Sequence, residues 1–378
     1  MKRDNLLIVA DSVRDADMLY ALRMFVPDPL IYLRLDGRCH MVVSDLELDR
    51  ARKQAPHCRV VSLSQCWNKL RQQGIRNPHE MAQVIRLLLR ERQIRRVLVP
   101  ETFPLGLARK LRDLKVKLKV SSGGIFPQRA LKSPEEVKKI SAALLMAEVG
   151  MAEGIQALKQ SRVTRDRKLI YRNAPFTSER LRAIIDTAVV QAGGQSLHTI
   201  VAGGLQGCEP HESGHGPLRA NEPIILDLFP RSQKTGYFGD ITRTLVRGRA
   251  SEAVRKAYLA VQQAQEVALR EMKSGTPCRQ VHERVQEHFR KNGYKTARTK
   301  GVFQGFFHGT GHGLGLELHE APNIGPRSRE TLANRMTVAV EPGLYYPEMG
   351  GGVRLEDVVV IQNRRPKNLT KFEKVLEV

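Results

Sequence analysis

The segment His308-Gly309-Thr310-Gly311-His312-Gly313-Leu314-Gly315-Leu316-Glu317-Leu318-His319-Glu320 decides how the second half of this chain is read. Glycines stand at 309, 311, 313 and 315, in strict alternation. Residues two apart share one face of a strand, so an extended reading leaves one face as bare backbone that a neighbour can approach closely. The other face then carries His308, Thr310, His312 and Leu314. Glycines alone also suit a flexible loop, but three imidazoles in one short segment point to chemistry. A helical zinc motif is disfavoured, because each glycine costs a helix about 1 kcal/mol relative to alanine.

Four carboxylates on either side of this segment share an unusual setting. Asp227 sits in Ile224-Ile225-Leu226-Asp227-Leu228-Phe229, and Asp240 opens Asp240-Ile241-Thr242-Arg243-Thr244, where alternation puts Thr242 and Thr244 on its side. Glu341 ends Val338-Ala339-Val340-Glu341 before Pro342-Gly343, and Glu356 follows Arg354 by two residues in Val353-Arg354-Leu355-Glu356-Asp357. One such acid has an ordinary reading, as a backbone cap or an arginine partner. Four in apolar strands need a shared counter-charge, since bare carboxylates are costly to bury and repel one another. Four carboxylates with one imidazole make a hard, oxygen-rich donor set. Two divalent ions would balance it; such pairs lie about 3.5–4 Å apart, bridge a hydroxide and serve hydrolysis. The residues therefore indicate a dinuclear hydrolase, with the scissile bond left open.

The rest of the chain sets the frame. Its 378 residues suggest two domains at roughly 150 residues each. A hydrophobic share of 41% with 27% charged residues supplies a core and excludes a disordered chain. Cys39, Cys58, Cys66, Cys208 and Cys278 are odd in number and lack metal-like spacing, which excludes a disulfide scaffold. Met1-Lys2-Arg3-Asp4 leads into only five apolar residues, too few for a secretory leader, and no later run approaches a membrane span. A soluble, cytoplasmic protein is expected. The net charge of +23 is spread along the chain with few aromatics (5%), so it reads as a basic solvated surface, and specific nucleic-acid binding is not expected.

Residues 1–126 alternate apolar runs (Leu6–Ala10, Ile31–Leu35, Met41–Ser44, Arg59–Leu63, Arg96–Val99, Lys117–Val120) with helical patterns (Met81–Arg92, Phe103–Leu114), predicting a three-layer α/β domain. No glycine-rich phosphate loop follows the first strand. A boundary falls near Ser121-Ser122-Gly123-Gly124, and Ser133-Pro134-Glu135-Glu136 predicts a capped helix start. Beyond it, helices are predicted at Ser178–Ala192, Glu252–Met272 and Arg279–Lys291, and strands at His198–Ala202, Pro223–Phe229, Asp240–Val246, Met336–Glu341 and Gly352–Val360.

Taken together, these motifs resemble those of the pita-bread metallopeptidases, in the proline-specific branch of prolidase and aminopeptidase P. The resemblance implies a creatinase-type N-terminal α/β domain (1–128) and an α+β pita-bread catalytic domain (129–378). It implies Asp227, Asp240, His312, Glu341 and Glu356 as metal ligands, with Asp240 and Glu356 bridging two divalent ions. The metal so implied is Mn, Co, Zn or Fe, with Mn favoured. By the same resemblance Glu341 shuttles a proton, His319 steadies the substrate carbonyl, and His211 contacts substrate near the leaving nitrogen, with His215 close by as its rival. His308 lines the substrate pocket, and Arg354, which methionine aminopeptidases lack, receives a peptide carboxylate or carbonyl. The implied activity is hydrolysis of Xaa-Pro bonds, in dipeptides or at peptide N-termini, by a homodimer. Two alternatives remain: an aminopeptidase of methionine-aminopeptidase type, and a non-catalytic binding protein of the same fold drawn to nucleic acid by its charge. The intact ligand set argues against the metal-free creatinase relatives.

Overall fold

The computed structural model describes residues 5–299 and 301–378. The opening Met1-Lys2-Arg3-Asp4, read above as no secretory leader, lies outside the described residues. Contacts divide the chain into two compact units, Met1–Arg129 and Ala130–Val378. No helix of the described residues is long and apolar enough to cross a membrane.

The first unit holds strands β1 (Leu6–Ala10), β2 (Leu30–Leu35), β3 (Arg38–Val43), β4 (Cys58–Ser62), β5 (Arg96–Val99) and β6 (Lys117–Val120). They form one mixed sheet in the order β4-β3-β2-β1-β5-β6. Its helices are α1 (Ala16–Leu22), α2 (Leu48–Gln54), α3 (Leu63–Gln72), α4 (Met81–Arg90) and α5 (Leu105–Asp113). Successive strand residues face opposite ways, and the sheet uses this strictly. Leu7 and Val9 pack with Leu70, Leu88 and Leu111 of α3, α4 and α5, while Leu6 and Ile8 pack with Met18, Leu22 and Ala51 of α1 and α2. Each such buried Leu or Ile contributes about 1.5–3 kcal/mol, so both helical layers are held by the one sheet. The alternation of apolar runs thus folds as the three-layer domain it predicts.

The second unit begins with α6 (Pro134–Gln160). Its start is the predicted capping box: Glu136 N–H donates to Ser133 Oγ at 3.3 Å, and Ser133 N–H donates to Glu136 Oε2 at 2.8 Å. It packs on α7 (Ser178–Gln191). Strands β7 (Ile200–Gly203), β8 (Pro223–Leu228) and β9 (Ile241–Val246) form a three-stranded antiparallel sheet. Helices α8 (Glu252–Glu271) and α9 (Cys278–Lys291) follow, the latter closed by Gly293 at φ +83°. A second sheet contains β10 (Gly311–Gly313), β11 (Glu320–Ile324), β12 (Thr337–Val340) and, after the pair β13 (Gly343–Tyr346) and β14 (Gly351–Arg354), β15 (Asp357–Val360). Val254, Val261, Val281 and Val285 of α8 and α9 share one core with Val338, Val340 and Val359 of that sheet.

Two sequence expectations are revised. The run from His308 to His319 is extended only at Gly311–Gly313; from Leu314 to His319 it turns, and Glu320 opens β11. Within the strand, neighbours press on both glycines. A Cβ on Gly311 would lie 1.9 Å from Ala339 O, and one on Gly313 would lie 2.2 Å from Ala321 O. The glycines therefore serve the expected purpose at two positions, while Thr310 leaves the shared face and bonds His282. Second, Gly352–Val360 is not one strand. It breaks at Leu355-Glu356, where Glu356 N–H donates to Thr242 O (3.0 Å) and β14 and β15 join different sheets.

Candidate metal centre

β8 and β9 are paired so that Asp227 faces Thr242, and Asp240 stands just before β9. β10 and β12 place His312 opposite Ala339, which leaves Glu341 one residue past the strand. Glu341 is tied there by its own N–H, which donates to Thr310 O at 2.8 Å. The break after β14 turns Glu356 inward. A cavity of about 680 Å³ results, lined by Asp227, Asp240, His312, Glu341, Glu356 and, beside them, His308, His319, His211 and Arg354. All nine side chains singled out in the sequence thus meet at one cavity. His215 does not line it, so His211 is the histidine placed at the site.

His312 has a fixed tautomer. Its Nδ1 lies 3.1 Å from Gly313 O, and a carbonyl can only accept, so Nδ1 carries the proton and Nε2 keeps a free lone pair. That lone pair is 3.7 Å from Asp240 Oδ2, 3.7 Å from Glu341 Oε1 and 3.9 Å from Glu356 Oε1. Ligand atoms of Asp240, His312 and Glu356 all fall within 4.8 Å of one another. Burial, reinforced by the surrounding carboxylates, pushes Asp240 and Glu356 well above the usual carboxylate range, and burial pushes Glu341 up to about 7. Asp227 Oδ1 is buried without a hydrogen-bond partner. An orphaned acceptor, a free imidazole lone pair and acids that resist ionising together fit a divalent cation.

The other polar groups hold this cluster in place. Arg354 donates to Asp227 Oδ2 at 2.7 Å and to the Tyr345 hydroxyl at 3.0 Å. Tyr345 donates in turn to His308 Nε2 (2.8 Å), since His308 Nδ1 is spent on Gly309 O. Burial drives His308 down to about 3, so it is neutral. The His319 ring stands edge-on to His312 with centroids 4.3 Å apart. Thr242 Oγ1 donates to Glu356 Oε2 at 2.7 Å, as the shared-face reading of β9 implies.

Several participants escape the sequence reading. Arg243, fully buried in β9, pairs with Asp357 at 2.9 Å and donates to the Glu356 and Thr242 carbonyls. A charge inside an apolar strand is the signal that exposed the acids, and it was equally present here. His282 lies on the apolar face of α9 with Val281, Val285 and Phe289, a pattern that reads as core. Its Nδ1 meets Thr310 Oγ1 at 2.9 Å, bracing the turn between His308 and His312. Lys132 pairs with Glu320. His198, Phe229, Phe307 and Leu318 also line the cavity.

Residues 138–363 match the profile of Metallopeptidase family M24. The chain belongs to metallopeptidase family M24. Among curated relatives, the uncharacterized peptidase YqhT of Bacillus subtilis is 31% identical over 62% of this chain and 69% of its own length. An Xaa-Pro dipeptidase of Pyrococcus furiosus is 29% identical over 66% of this chain and 65% of its own. These alignments span about two thirds of the relatives. Among solved structures, an X-Pro aminopeptidase from Thermotoga maritima superposes with a TM-score of 0.81 at 23% identity, covering 99% of this chain and 97% of the other. Prolidase from Pyrococcus furiosus gives 0.78 at 23% identity, covering 98% and 97%. At that identity the likeness speaks to fold: the pita-bread fold with its preceding α/β domain is the fold of this chain. As an M24 member it is a metallopeptidase.

Proposed function

We propose that this metallopeptidase hydrolyses Xaa-Pro bonds, in dipeptides or at peptide N-termini, with two divalent ions, Mn foremost. The convergence of Asp240, His312 and Glu356 within 4.8 Å, beside Asp227 and Glu341 in the same cavity, carries this reading. Asp240 and Glu356 would be shared between the ions, Asp227 would complete one, and His312 with Glu341 the other. When bound, such ions acidify water and polarise a carbonyl. The specificity rests on the Xaa-Pro dipeptidase among the relatives.

The chain's own groups have distinct tasks. Glu341, 3.7 Å from His312 Nε2 at the edge of the cluster and lining the cavity, is placed to take and return a proton. His319, on the cavity wall, has its pKa lowered by desolvation and by the neighbouring imidazoles, and as a neutral ring it can donate to a carbonyl oxygen as negative charge develops. A prolyl nitrogen has no hydrogen to offer a binding group, so cleavage depends on protonating it as it leaves. His211, exposed on the cavity wall, is the group for that step. Arg354 holds Asp227 from within and presents a guanidinium edge to the substrate cavity.

The test is a side-by-side assay of an Xaa-Pro dipeptide, an Xaa-Pro-Yaa peptide and Met-Ala, with Mn-loaded and chelator-stripped protein. Cleavage of the proline substrates that vanishes on stripping is expected. Preference for Met-Ala, or turnover undiminished by stripping, would overturn the proposal.

A further inference from the structure

We propose that Cys39 and Cys58 form a peroxide-sensitive thiol pair that closes to an intramolecular disulfide. β3 and β4 run parallel, and their register sets Cys39 directly opposite Cys58. Residues in register share a face, and neighbouring strands lie about 4.7–4.9 Å apart, inside the Cα window of roughly 4.4–6.8 Å that a disulfide spans. The connection between them runs through α2, so the bond would staple one strand–helix–strand unit to itself. Of the five cysteines, Cys39 alone is partly exposed; Cys58, Cys66, Cys208 and Cys278 are buried.

The surroundings make the two sulfurs unequal. The Tyr32 hydroxyl lies 3.2 Å from Cys39 Sγ. Arg34 stands opposite Cys39 across the β2–β3 ladder, and His57 immediately precedes Cys58. A hydrogen bond with Cys58, then the Tyr32 hydroxyl and the His57 and Arg34 charges, draw the Cys39 thiol down to about 5 against the opposing effect of burial. The same hydrogen bond and burial hold Cys58 protonated. A partly exposed thiolate beside a buried thiol is the arrangement of an attacking and a resolving cysteine.

The chemistry balances with hydrogen peroxide as oxidant. Cys39 thiolate attacks one peroxide oxygen, the O–O bond breaks, and the departing hydroxide takes from solvent the proton that Cys39 released on ionising and leaves as water, giving a sulfenic acid on Cys39. Cys58 sulfur then attacks Cys39 sulfur; the S–O bond breaks, and hydroxide takes the Cys58 proton to leave as a second water. The pair loses two electrons and the peroxide gains them. The pair stands at the start of the β3–β4 ladder, which continues from it through His40 and Arg59, and a thiol reductant would reopen the bond.

Peptide mapping tests this on the intact protein. After peroxide treatment and alkylation, non-reducing trypsin digestion should yield peptide 39–50 joined to peptide 54–59, and dithiothreitol should separate them. In Cys58→Ser the joined species should vanish and Cys39 should pass to the sulfinic acid. Wild-type protein whose Cys39 over-oxidises while Cys58 remains alkylatable would overturn the proposal, as would a Cys39 bond that links two chains. The wild-type map decides the question even if the variant fails to fold.

Discussion

Replacing Gly311 by alanine tests whether the close β10–β12 contact builds the centre. The new Cβ would sit 1.9 Å from Ala339 O and 2.9 Å from its carbonyl carbon. Restoring an ordinary contact of 3.4 Å requires the strands to part by about 1.5 Å at that point. Ladder hydrogen bonds near 2.9 Å would then stretch beyond 4 Å, roughly the point at which they cease to count. Overpacking costs about 1–3 kcal/mol, and each buried group left unpaired about 1–3 more, so a loss of about 3–5 kcal/mol is expected. The same shift separates His312 from Glu341, now 3.7 Å apart, and a 1 Å misplacement costs about a hundredfold in rate. The assay is a urea melt followed by circular dichroism, with kcat/KM on an Xaa-Pro dipeptide at saturating Mn. Gly106→Ala is the control: helical, with nothing within 4 Å of its Cβ, it should stay within about 1 kcal/mol of the parent. A Gly311→Ala protein within 0.5 kcal/mol or so of wild type and fully active would refute the reasoning.

Three further outcomes are expected. His319→Ala should keep most bound metal in a dialysis measurement while kcat falls about tenfold to a thousandfold, as for a lost donor to developing charge. Arg243→Met leaves Asp357 buried with only Lys374 as cation and should cost about 3 kcal/mol by urea melt. Metal-free protein should lose stability as pH rises from 7.5 to 8.5. Glu341 at about 7, and Asp240 and Glu356 higher than the usual range, favour the protonated folded state, whose advantage is full below the unfolded pKa and is lost through the folded one. The slope reaches about 1.4 kcal/mol per pH unit for each carboxyl still protonated. Above pH 7.5 the histidines with lowered folded pKa values are almost wholly neutral in the unfolded chain too, whose ordinary value is about 6.5, and add little slope; nearer pH 6.5 they oppose the decline. Differential scanning calorimetry with and without Mn reads this out, and saturating Mn should remove the decline.

The acids were legible because charge inside an apolar run demands an explanation. Asp227 in Ile224–Phe229 and Glu341 after Val338–Val340 announce themselves by contrast with their neighbours. The capped start of α6 was legible because its four residues close a local hydrogen-bond ring. What stayed hidden depends on contacts distant in sequence. Nothing near Tyr345 says that its hydroxyl links Arg354 to His308, and nothing near His282 says that Thr310 will reach it. The break at Leu355-Glu356 was hidden too, because Val353 and Leu355 before it and Val358-Val359-Val360 after it both read as strand, while the change of partner strands shows only in the pairing. Local pattern specifies each strand; only pairing specifies where a strand must end.

Metal stoichiometry tests the central claim most directly. Protein stripped with chelator, equilibrated with Mn and dialysed should retain two ions per chain by elemental analysis, and Asp240→Asn should retain at most one and lose turnover. A chain that retains no divalent ion at saturation, or an Asp240→Asn variant that binds and turns over like wild type, would contradict the account.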